Sequence, residues 1–424
     1  MKLFKRKYAV LSLLIFIVLI GNACSSGDSS SEPSQSSESK EQNPNLTLMI
    51  SWPDDVNAQL EEELITEKFA DKYNITFKPV DNNISKTIKT TIAANEPVDL
   101  AFYWTSDMDT FVNSDMALDL TPYLEENNSE WKNTFIDGSL DLATYGGKTY
   151  AVPNTPVYPM MLVNKDLLDQ AGITISDQPT WDEFMNAMDT VKEKLGITPL
   201  GLQRDWANWL VRNNLFAVWP DEAKVQEFSQ GKIPFTDPSV VKVFDAAKNL
   251  YENGYVYPDK GALTMTGEQV LNAFKSEKIA FMGQINFTAD KAIKESGVEN
   301  VQIISFPHMG PRAKVMGSAN GFMIPANAKN PEASIEILKY LTSAEVLQHR
   351  VDNGSPVSVK GVESDNPQFE LYAKDAGNVY KEKEIITLSP KISEYFNQNI
   401  PANYIFEPEK TLEELENLRL EAIK

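Results

Sequence analysis

Aromatic and short polar side chains follow three apolar segments in the first quarter of the chain. The segments are residues 46–51, 75–80 and 98–103, and each has the length and composition of a buried strand. A flat aromatic ring can stack on the C–H face of a sugar, and carboxylates accept hydrogen bonds from its hydroxyl groups. The candidate carbohydrate-binding side chains are Trp52, Asp81, Tyr103, Trp104 and Asp107.

Apolar residues recur at helical spacing between these segments. Leu60, Leu64 and Phe69 mark a first helix, and Ile84 and Ile88 mark a second. The order strand, helix, strand, helix, strand predicts parallel pairing with right-handed crossovers, and hence a doubly wound α/β sheet. Ligands of such sheets bind outside the carboxyl ends of the strands, which is where the candidate side chains occur.

Catalytic and metal-binding spacings are missing from the sequence. It has no His-Glu-x-x-His, no Gly-x-Gly-x-x-Gly turn and no phosphate loop, and neither His308 nor His349 belongs to a catalytic pattern. Because the chain has two histidines and one cysteine, we expect neither a metal nor a cofactor. We therefore favour a binding protein. A carboxylate pair among the sixty acidic residues leaves a secreted carbohydrate-active enzyme as an alternative.

A proline-rich connection follows at residues 150–159. Pro153, Pro156 and Pro159 argue against a helix or a central strand, while Tyr158 and its neighbours are too apolar for a free linker. We therefore predict an extended, semi-rigid hinge beside a binding cleft, followed by a strand at residues 160–163. Tyr158 is a further candidate ligand contact.

The sequence around this hinge resembles the extracellular solute-binding proteins of family 1, which are the sugar-binding receptors of ABC importers. The similarity rests on four short stretches in a fixed order. They are Gly-Lys-x-Tyr-Ala-Val-Pro at residues 147–153, Leu-Val-Asn-Lys-Asp-Leu-Leu at 162–168, Ala-Gly-Ile at 171–173 and Pro-Thr-Trp-Asp-Glu-Phe at 179–184.

This resemblance implies a two-lobe, periplasmic-binding-protein-like α/β fold with a doubly wound sheet in each lobe and three hinge crossings. Residues 46–154 and 309–356 would form the first lobe, and residues 155–308 and 357–424 the second. The lobes would close on a small-molecule carbohydrate and present it to the permease subunits of an ABC importer. We expect a monomer.

Three further segments resemble parts of the family that face the cleft. They are residues 201–209, residues 274–284, in which Ser276-Glu277 stands where a glycine is usual, and residues 316–325. The tryptophan that often follows the second segment in sugar binders is absent, which weakens the case for a long oligosaccharide. Asn286 or Phe287 occupies its neighbourhood. The resemblance adds the candidates Arg204, Trp206, Gln284, Asn286, Ser318 and Asn320.

The first 45 residues predict export and anchoring. Residues 1–23 join four basic residues to an apolar run, which is the pattern of a secretory signal. Cys24, the single cysteine, resembles the acylated lipobox cysteine of bacterial lipoproteins, although Gly21 stands where leucine is usual. Residues 24–45 are polar and rich in serine, as in a disordered tether. We expect a protein that is lipid-anchored on the extracellular face of the cell membrane.

Charge narrows the choice of ligands. The net charge is −21, and removal of residues 1–23, with four basic and no acidic residues, makes it −25, which argues against nucleic acid as a partner. A receptor for an acidic sugar or another anionic solute stays open as an alternative, supported by Arg204 and more weakly by Arg312. A sensor partner that uses the same fold is another.

Overall fold

The computed structural model describes residues 43–424 except 54, 82, 260, 312–314, 366–370, 372–378 and 382–387. The predicted signal, Cys24 and most of the predicted tether lie outside the described residues, as does Arg312. Every helix within the described part of the chain is too short or too polar to span a bilayer.

The described strands are numbered in chain order. They are β1 (Asn45–Ser51), β2 (Asn74–Pro79), β3 (Leu100–Trp104), β4 (Thr144–Tyr145), β5 (Lys148–Thr149), β6 (Val152–Val157), β7 (Pro159–Asn164), β8 (Leu200–Gly201), β9 (Phe281–Ile285), β10 (Val301–Ser305), β11 (Val315–Met323) and β12 (Val379–Lys381).

The described α-helices are numbered in the same way. They are α1 (Val56–Phe69), α2 (Ile84–Ala93), α3 (Asp109–Val112), α4 (Thr121–Asn133), α5 (Lys165–Ala171), α6 (Trp181–Leu195), α7 (Arg204–Ala217), α8 (Glu222–Ser229), α9 (Pro238–Glu252), α10 (Gly267–Lys275), α11 (Asn286–Ser296), α12 (Pro331–Leu341), α13 (Ala344–Asp352), α14 (Pro390–Asn399), α15 (Ala402–Phe406) and α16 (Pro408–Ala422).

The first sheet contains the strands predicted at the start of the chain. Its order is β12-β11-β3-β1-β2, and β6 pairs with the free side of β11. β1 is parallel to both β2 and β3, and α1 and α2 make the connections, as predicted. The carboxyl ends of β1 and β3 therefore lie side by side. β11 runs antiparallel to β3 and to β6.

The second sheet is mixed. Its order is β10-β7-β9-β8, where β7 is antiparallel to both of its neighbours and β8 is parallel to β9. It thus departs from the parallel pattern of a doubly wound sheet. The path of the chain explains this, because only Tyr158 separates the end of β6 from the start of β7, so β7 takes its direction from the first sheet rather than from a helical crossover.

Buried apolar side chains divide into the cores of two lobes. One cluster joins β1 and β3 to α12 and includes Leu48, Leu100 and Leu338. The other lobe holds three clusters around β7, β9, α7 and α9, with Phe281 and Phe244 among their members. The two-lobe α/β fold predicted from the resemblance is therefore confirmed.

The proline-rich connection, predicted as an extended hinge, forms an edge strand of the first sheet. Among the described strands, β6 pairs with β11 alone, so Pro153 and Pro156 can lack amide protons without breaking a central ladder. The register shifts between Asn320 and Gly321, which face Thr155 and Pro153 respectively. The chain leaves this strand directly for β7.

Two of the predicted lobe boundaries lie elsewhere. Val315 and Met316 pack in clusters of the second lobe, whereas Phe322 packs in the first, so the second crossing occurs inside β11 rather than at residue 309. Val357 and Val359 pack in the first-lobe cluster, so the chain remains in that lobe beyond residue 356. The third crossing between the lobes therefore lies after Val359 and not at residue 356, because buried apolar side chains keep residues 357–359 in the first lobe.

Candidate ligand-binding cleft

A cavity of about 490 Å³ lies between the two lobes. The first lobe supplies the ends of β1 and β3, the start of α1, the end of α13 and one residue each from β6 and β11. The second lobe supplies the first half of α11. The lining residues are Trp52, Asp55, Asn57, Phe102, Trp104, Thr155, Phe287, Thr288, Lys291, Asn320, Arg350 and Ser355.

Trp52, Phe102 and Trp104 form one side of this cavity, which we call the aromatic wall. The ring of Phe102 lies 5.9 Å from that of Trp52 and 6.0 Å from that of Trp104, at interplanar angles of 84° and 78°. Phe102 and Trp104 share a face of β3 because side chains alternate along a strand. Edge-to-face contacts on a buried phenyl ring fix both indoles, which remain half-buried and can stack on a ligand.

Polar groups of β6 and β11 lie beside the aromatic wall. Asn320 pairs with Trp104 on one side and with Thr155 on the other, so the sheet register sets all three side chains in a row. Thr155 is buried, and its Oγ1 has no hydrogen-bond partner in the described part of the chain. Because an unpaired buried hydroxyl is costly, a ligand that bonded to it would remove that cost.

The first turns of helix α11, in the second lobe, lie opposite the aromatic wall. Phe287 exposes 39% of its surface, which is unusual for a large apolar residue, and it lines the cavity. Thr288 donates a hydrogen bond to Gln284 Oε1 over 3.0 Å. Lys291 is mostly exposed and lies 3.9 Å from Glu295. This side therefore offers one apolar ring and one solvated cation.

A polar group closes the cavity on the first-lobe side. Arg350 is buried and forms a two-pronged pair with the buried Glu61, with distances of 2.5 Å from Nε to Oε1 and 2.8 Å from Nη2 to Oε2. Arg350 Nη1 lies 3.7 Å from Asp55 Oδ2. The other carboxylate oxygen of Asp55 caps α1 by accepting from the amides of Asn57 and Ala58. Two carboxylates thus surround one guanidinium, so the group carries no excess positive charge.

Three of the predicted residues are buried away from the cavity. Tyr103 packs edge-on against Phe111 at 4.8 Å, and burial raises the pKa of its phenol. Tyr158 is fully buried in the second-lobe core. Asn286 accepts from the Tyr158 amide at 3.0 Å and donates to the Pro156 carbonyl at 2.7 Å, so its side chain fixes the first crossing.

Four more lie outside the lining of the cavity. Asp81 is exposed and accepts from the Asn83 amide at the start of α2. Arg204 is exposed and donates to the Gln398 carbonyl over 3.3 Å. Trp206 packs beside Gly283, and Gln284 bonds to Thr288 and to the next amide.

Ser318 and Asp107 lie near the cavity without lining it. Ser318 is buried two positions before Asn320 on the same face of β11. Asp107 follows β3 in a 3₁₀ turn, Thr105–Asp107. Burial lowers the pKa of Arg212 on α7 to about 10, and the charge of Asp107 acts against that shift. Asp107 of the first lobe therefore acts electrostatically on α7 of the second.

The structure thus brings Trp52, Trp104 and Asn320 together in one cavity. Sequence reasoning missed Asp55, Phe287 and Arg350. Asp55 had a local signal, because an aspartate directly before an apolar helical pattern is a typical N-cap. Arg350 had none, since its partner Glu61 is 289 positions away along the chain.

The profile of the bacterial extracellular solute-binding proteins matches residues 54–348, which is more than half of the chain. The chain belongs to this family. The matched range begins beside Asp55 and ends within α13, so it contains parts of both lobes and nine of the twelve residues that line the cavity; Trp52, Arg350 and Ser355 lie outside it.

Curated relatives are distant members. A putative binding protein of Brucella abortus is 25% identical over 274 residues, which are 63% of this chain and 64% of that protein. The sn-glycerol-3-phosphate-binding periplasmic protein of Rhizobium meliloti is 25% identical over 244 residues, or 54% of each chain. The aligned part thus spans less than two thirds of the length of these relatives.

Solved structures extend the similarity to nearly the whole chain. A chitin oligosaccharide binding protein has a TM-score of 0.71 at 21% identity, covering 90% of this chain and 99% of that one. RafE from Streptococcus pneumoniae has a TM-score of 0.71 at 19% identity, covering 90% and 100%. At these identities the likeness shows a shared fold. The family and these neighbours are binding proteins.

Proposed function

We propose that the protein is the substrate-binding receptor of an ABC transporter, which captures a mono- or oligosaccharide between its lobes and delivers it to a membrane permease. The aromatic wall carries this proposal. Two indoles held edge-on to Phe102 give a stiff pair of apolar surfaces, and Asn320 lies next to them. Flat rings beside polar groups suit a ligand with an apolar face and hydroxyl edges.

The names of several similar proteins support a carbohydrate. One neighbour binds chitin oligosaccharide, RafE has been solved with raffinose, and a Bacillus subtilis relative that is 32% identical over 89 residues is an arabinooligosaccharide-binding protein. These ligands differ in size and linkage and share ring hydroxyls. We infer a sugar as the ligand class.

Capture would proceed by closure of the lobes. We propose that the ligand stacks on Trp52 and Trp104, bonds to Asn320 and Thr155, and meets Phe287 as the second lobe approaches. A ligand that contacts both lobes binds the closed arrangement better than the open one and shifts the population toward it. The closed form would then be the one that the permease recognises. Trp206, Arg204, Gln284 and Ser318 could contact only a ligand that extends beyond the cavity.

We propose that the mature protein is a monomer attached to the outer face of the membrane through Cys24. The basic and apolar pattern of residues 1–23 and the polar composition of residues 24–45 support it. Cells grown with labelled palmitate should label the wild-type protein and not Cys24→Ser. Label retained by Cys24→Ser would contradict the anchor, and light scattering would test the monomer.

Thermal shift and calorimetry would test the function itself. The probes are galactose, maltose, raffinose, xylobiose, arabinobiose and N,N′-diacetylchitobiose, with glutamate and sn-glycerol 3-phosphate as non-sugar comparisons. A ligand at a hundred times its Kd stabilises a protein by about 2.7 kcal/mol. Binding of a neutral sugar supports the proposal. Binding of sn-glycerol 3-phosphate alone, or of no sugar, overturns it.

Two of the three alternatives, a receptor for an anionic solute and a carbohydrate-active enzyme, are not favoured. Arg204, on which an anionic ligand would depend, lies outside the cavity lining, and the guanidinium of Arg350 is already surrounded by two carboxylates. The family and the solved neighbours are binding proteins, so a carbohydrate-active enzyme has no support from them.

A further inference from the structure

We propose that Asp55 and Arg350 together recognise two adjacent hydroxyl groups of the captured sugar. This inference rests on the proposed function and specifies which part of the ligand the first lobe selects. Both residues line the cavity, next to Trp52 of the aromatic wall. The main chain joins Asp55 to this wall, because the amide of Asp55 donates to the carbonyl of Trp52 over 3.0 Å.

Arg350 is fixed before any ligand arrives. Its Nε and Nη2 are both engaged by Glu61, which is 1% exposed, so the plane of the guanidinium cannot turn. A planar guanidinium held on one edge directs its remaining N–H groups along fixed lines. Nη1 is the nitrogen that lies toward Asp55. The donor is therefore preorganised, which reduces the entropy that binding must otherwise remove.

Asp55 is fixed in the same way. Its Oδ1 accepts from the amides of Asn57 at 3.0 Å and Ala58 at 3.3 Å, so the carboxylate is held by the start of α1. Its Oδ2 is 3.7 Å from Arg350 Nη1, beyond the usual length of a hydrogen bond. The two atoms thus form an ion pair whose separation is too long for a direct hydrogen bond, which leaves a fixed acceptor and a fixed donor side by side.

Two adjacent hydroxyls on a sugar ring match this arrangement. One hydroxyl donates to Asp55 Oδ2, and its neighbour accepts from Arg350 Nη1, while the ring lies against the aromatic wall. Hydrogen bonds to ionised groups are the stronger kind, so loss of either hydroxyl should be costly. The local charge of two carboxylates and one guanidinium also disfavours an anionic ligand at this place.

Asp55→Asn tests the pair without removing the helix cap, because asparagine is an equally good N-cap. For the neutral sugar that binds the wild type best, we expect affinity to fall at least tenfold. Arg350→Lys keeps a cation opposite Glu61 but loses the planar guanidinium and its Nη1 donor. We expect it to lower the affinity for the same sugar by a similar factor. Asp221→Asn is the matched control, because Asp221 caps α8 through the Lys224 amide and lies outside the cavity lining. Circular dichroism would check that each variant is folded.

Monodeoxy derivatives of the same sugar separate recognition from general damage. The two derivatives that lack one or the other of the adjacent hydroxyls should bind the wild-type protein at least tenfold more weakly than the parent sugar. For the derivative that lacks the hydroxyl donating to Asp55, Asp55→Asn should cause no further loss of affinity. Equal loss on all derivatives, or unchanged affinity in both Asp55→Asn and Arg350→Lys, overturns the inference while the receptor function stands. If no sugar binds the wild type, the proposed function fails, and this inference fails with it.

Discussion

The carboxylate of Asp290 lies directly over the α-carbon of Gly354. A Cβ atom at position 354 would be 1.9 Å from Asp290 Oδ2 and 2.6 Å from Asp290 Cβ. Asp290 belongs to α11 of the second lobe, and Gly354 follows α13 of the first, so the lobes meet here across the cleft. Both elements also line the cavity.

Gly354→Ala should hold the lobes apart. The added methyl group cannot fit unless α11 withdraws, so we expect a larger radius of gyration by small-angle X-ray scattering and at least tenfold weaker sugar binding. Gly361→Ala is the matched control, because φ is +83° there and +81° at Gly354, while the nearest atom to its Cβ is 3.6 Å away. Both variants carry the strain of a left-handed alanine, roughly 1–2 kcal/mol.

Removal of the opposing side chain completes this test. Asp290→Gly combined with Gly354→Ala should restore the compact form, since glycine also removes the Asp290 Cβ that would lie 2.6 Å from the added methyl group. If Gly354→Ala and Gly361→Ala behave alike, the contact has no part in closure.

Trp104→Ala should weaken sugar binding by about tenfold or more, since 1.4 kcal/mol corresponds to a factor of ten and a stacked indole contributes at least that much at a binding site. Trp52→Ala should act similarly. Trp181→Ala removes the same side chain from a partly exposed site on the second-lobe core and should leave affinity unchanged. Calorimetry measures all three. Equal affinity of Trp104→Ala and wild type would exclude the aromatic wall as the binding surface.

The aromatic wall could be predicted because it follows from two local regularities. Strand periodicity located β1 and β3, and the rule that ligands bind at carboxyl strand ends selected Trp52 and Trp104. Alternation along β3 also explains why Tyr103 lies outside the cavity lining, because it points to the opposite face from Trp104. Asp81 satisfies the same rule, yet its carboxylate caps a turn before α2.

The polar part of the cleft could not be predicted in this way. Arg350 is near Asp55 only because α13 packs on α1 in the folded first lobe, and no local pattern encodes that contact. Phe287 lines the cavity only because the second lobe approaches the first, and the sequence does not encode that distance. Family resemblance named its neighbour Asn286, whose amide is instead used to bridge Pro156 and Tyr158.

Glu61→Gln should destabilise the protein by about 3–5 kcal/mol, because it leaves the buried guanidinium of Arg350 without its main counter-charge. Urea unfolding followed by circular dichroism measures the free energy of unfolding. Glu421→Gln is the contrasting case, since the Lys391–Glu421 pair spans 2.5 Å but is exposed at the surface, and it should produce no measurable change. A loss for Glu61→Gln no larger than for Glu421→Gln would refute the structural role of the buried pair.

Stability should fall at acidic pH partly through Glu416. Hydrogen bonds from Arg419 lower the pKa of Glu416 below its ordinary value of 4.5, and burial opposes them. The Phe235 amide also donates to this carboxylate over 3.0 Å. Because the pKa is lower in the folded state, this contribution is present above pH 4.5 and disappears as the pH falls through the folded-state pKa.

Glu416→Gln should therefore reduce the free energy of unfolding near neutral pH and flatten its decline in acid. Urea titrations at about pH 7 and about pH 3 compare the two proteins. Glu413→Gln, an exposed position on the same helix, should retain the wild-type slope. An unchanged slope in Glu416→Gln would show that other carboxylates govern acid sensitivity.

Strand β11 carries side chains of both lobe cores, and its pairing with β6 shifts register between Asn320 and Gly321. Between Met316 and Phe322, one face of the strand holds only Gly317, Ala319 and Gly321, because the backbone of β6 approaches so closely that a Cβ at Gly317 or Gly321 would lie 2.5 Å or 2.3 Å from a carbonyl oxygen. Twisting the strand there moves no side chain larger than a methyl group on that face. We therefore expect β11 to bend at this point without repacking that face, so that the contacts made and broken across the cleft decide how readily the lobes close.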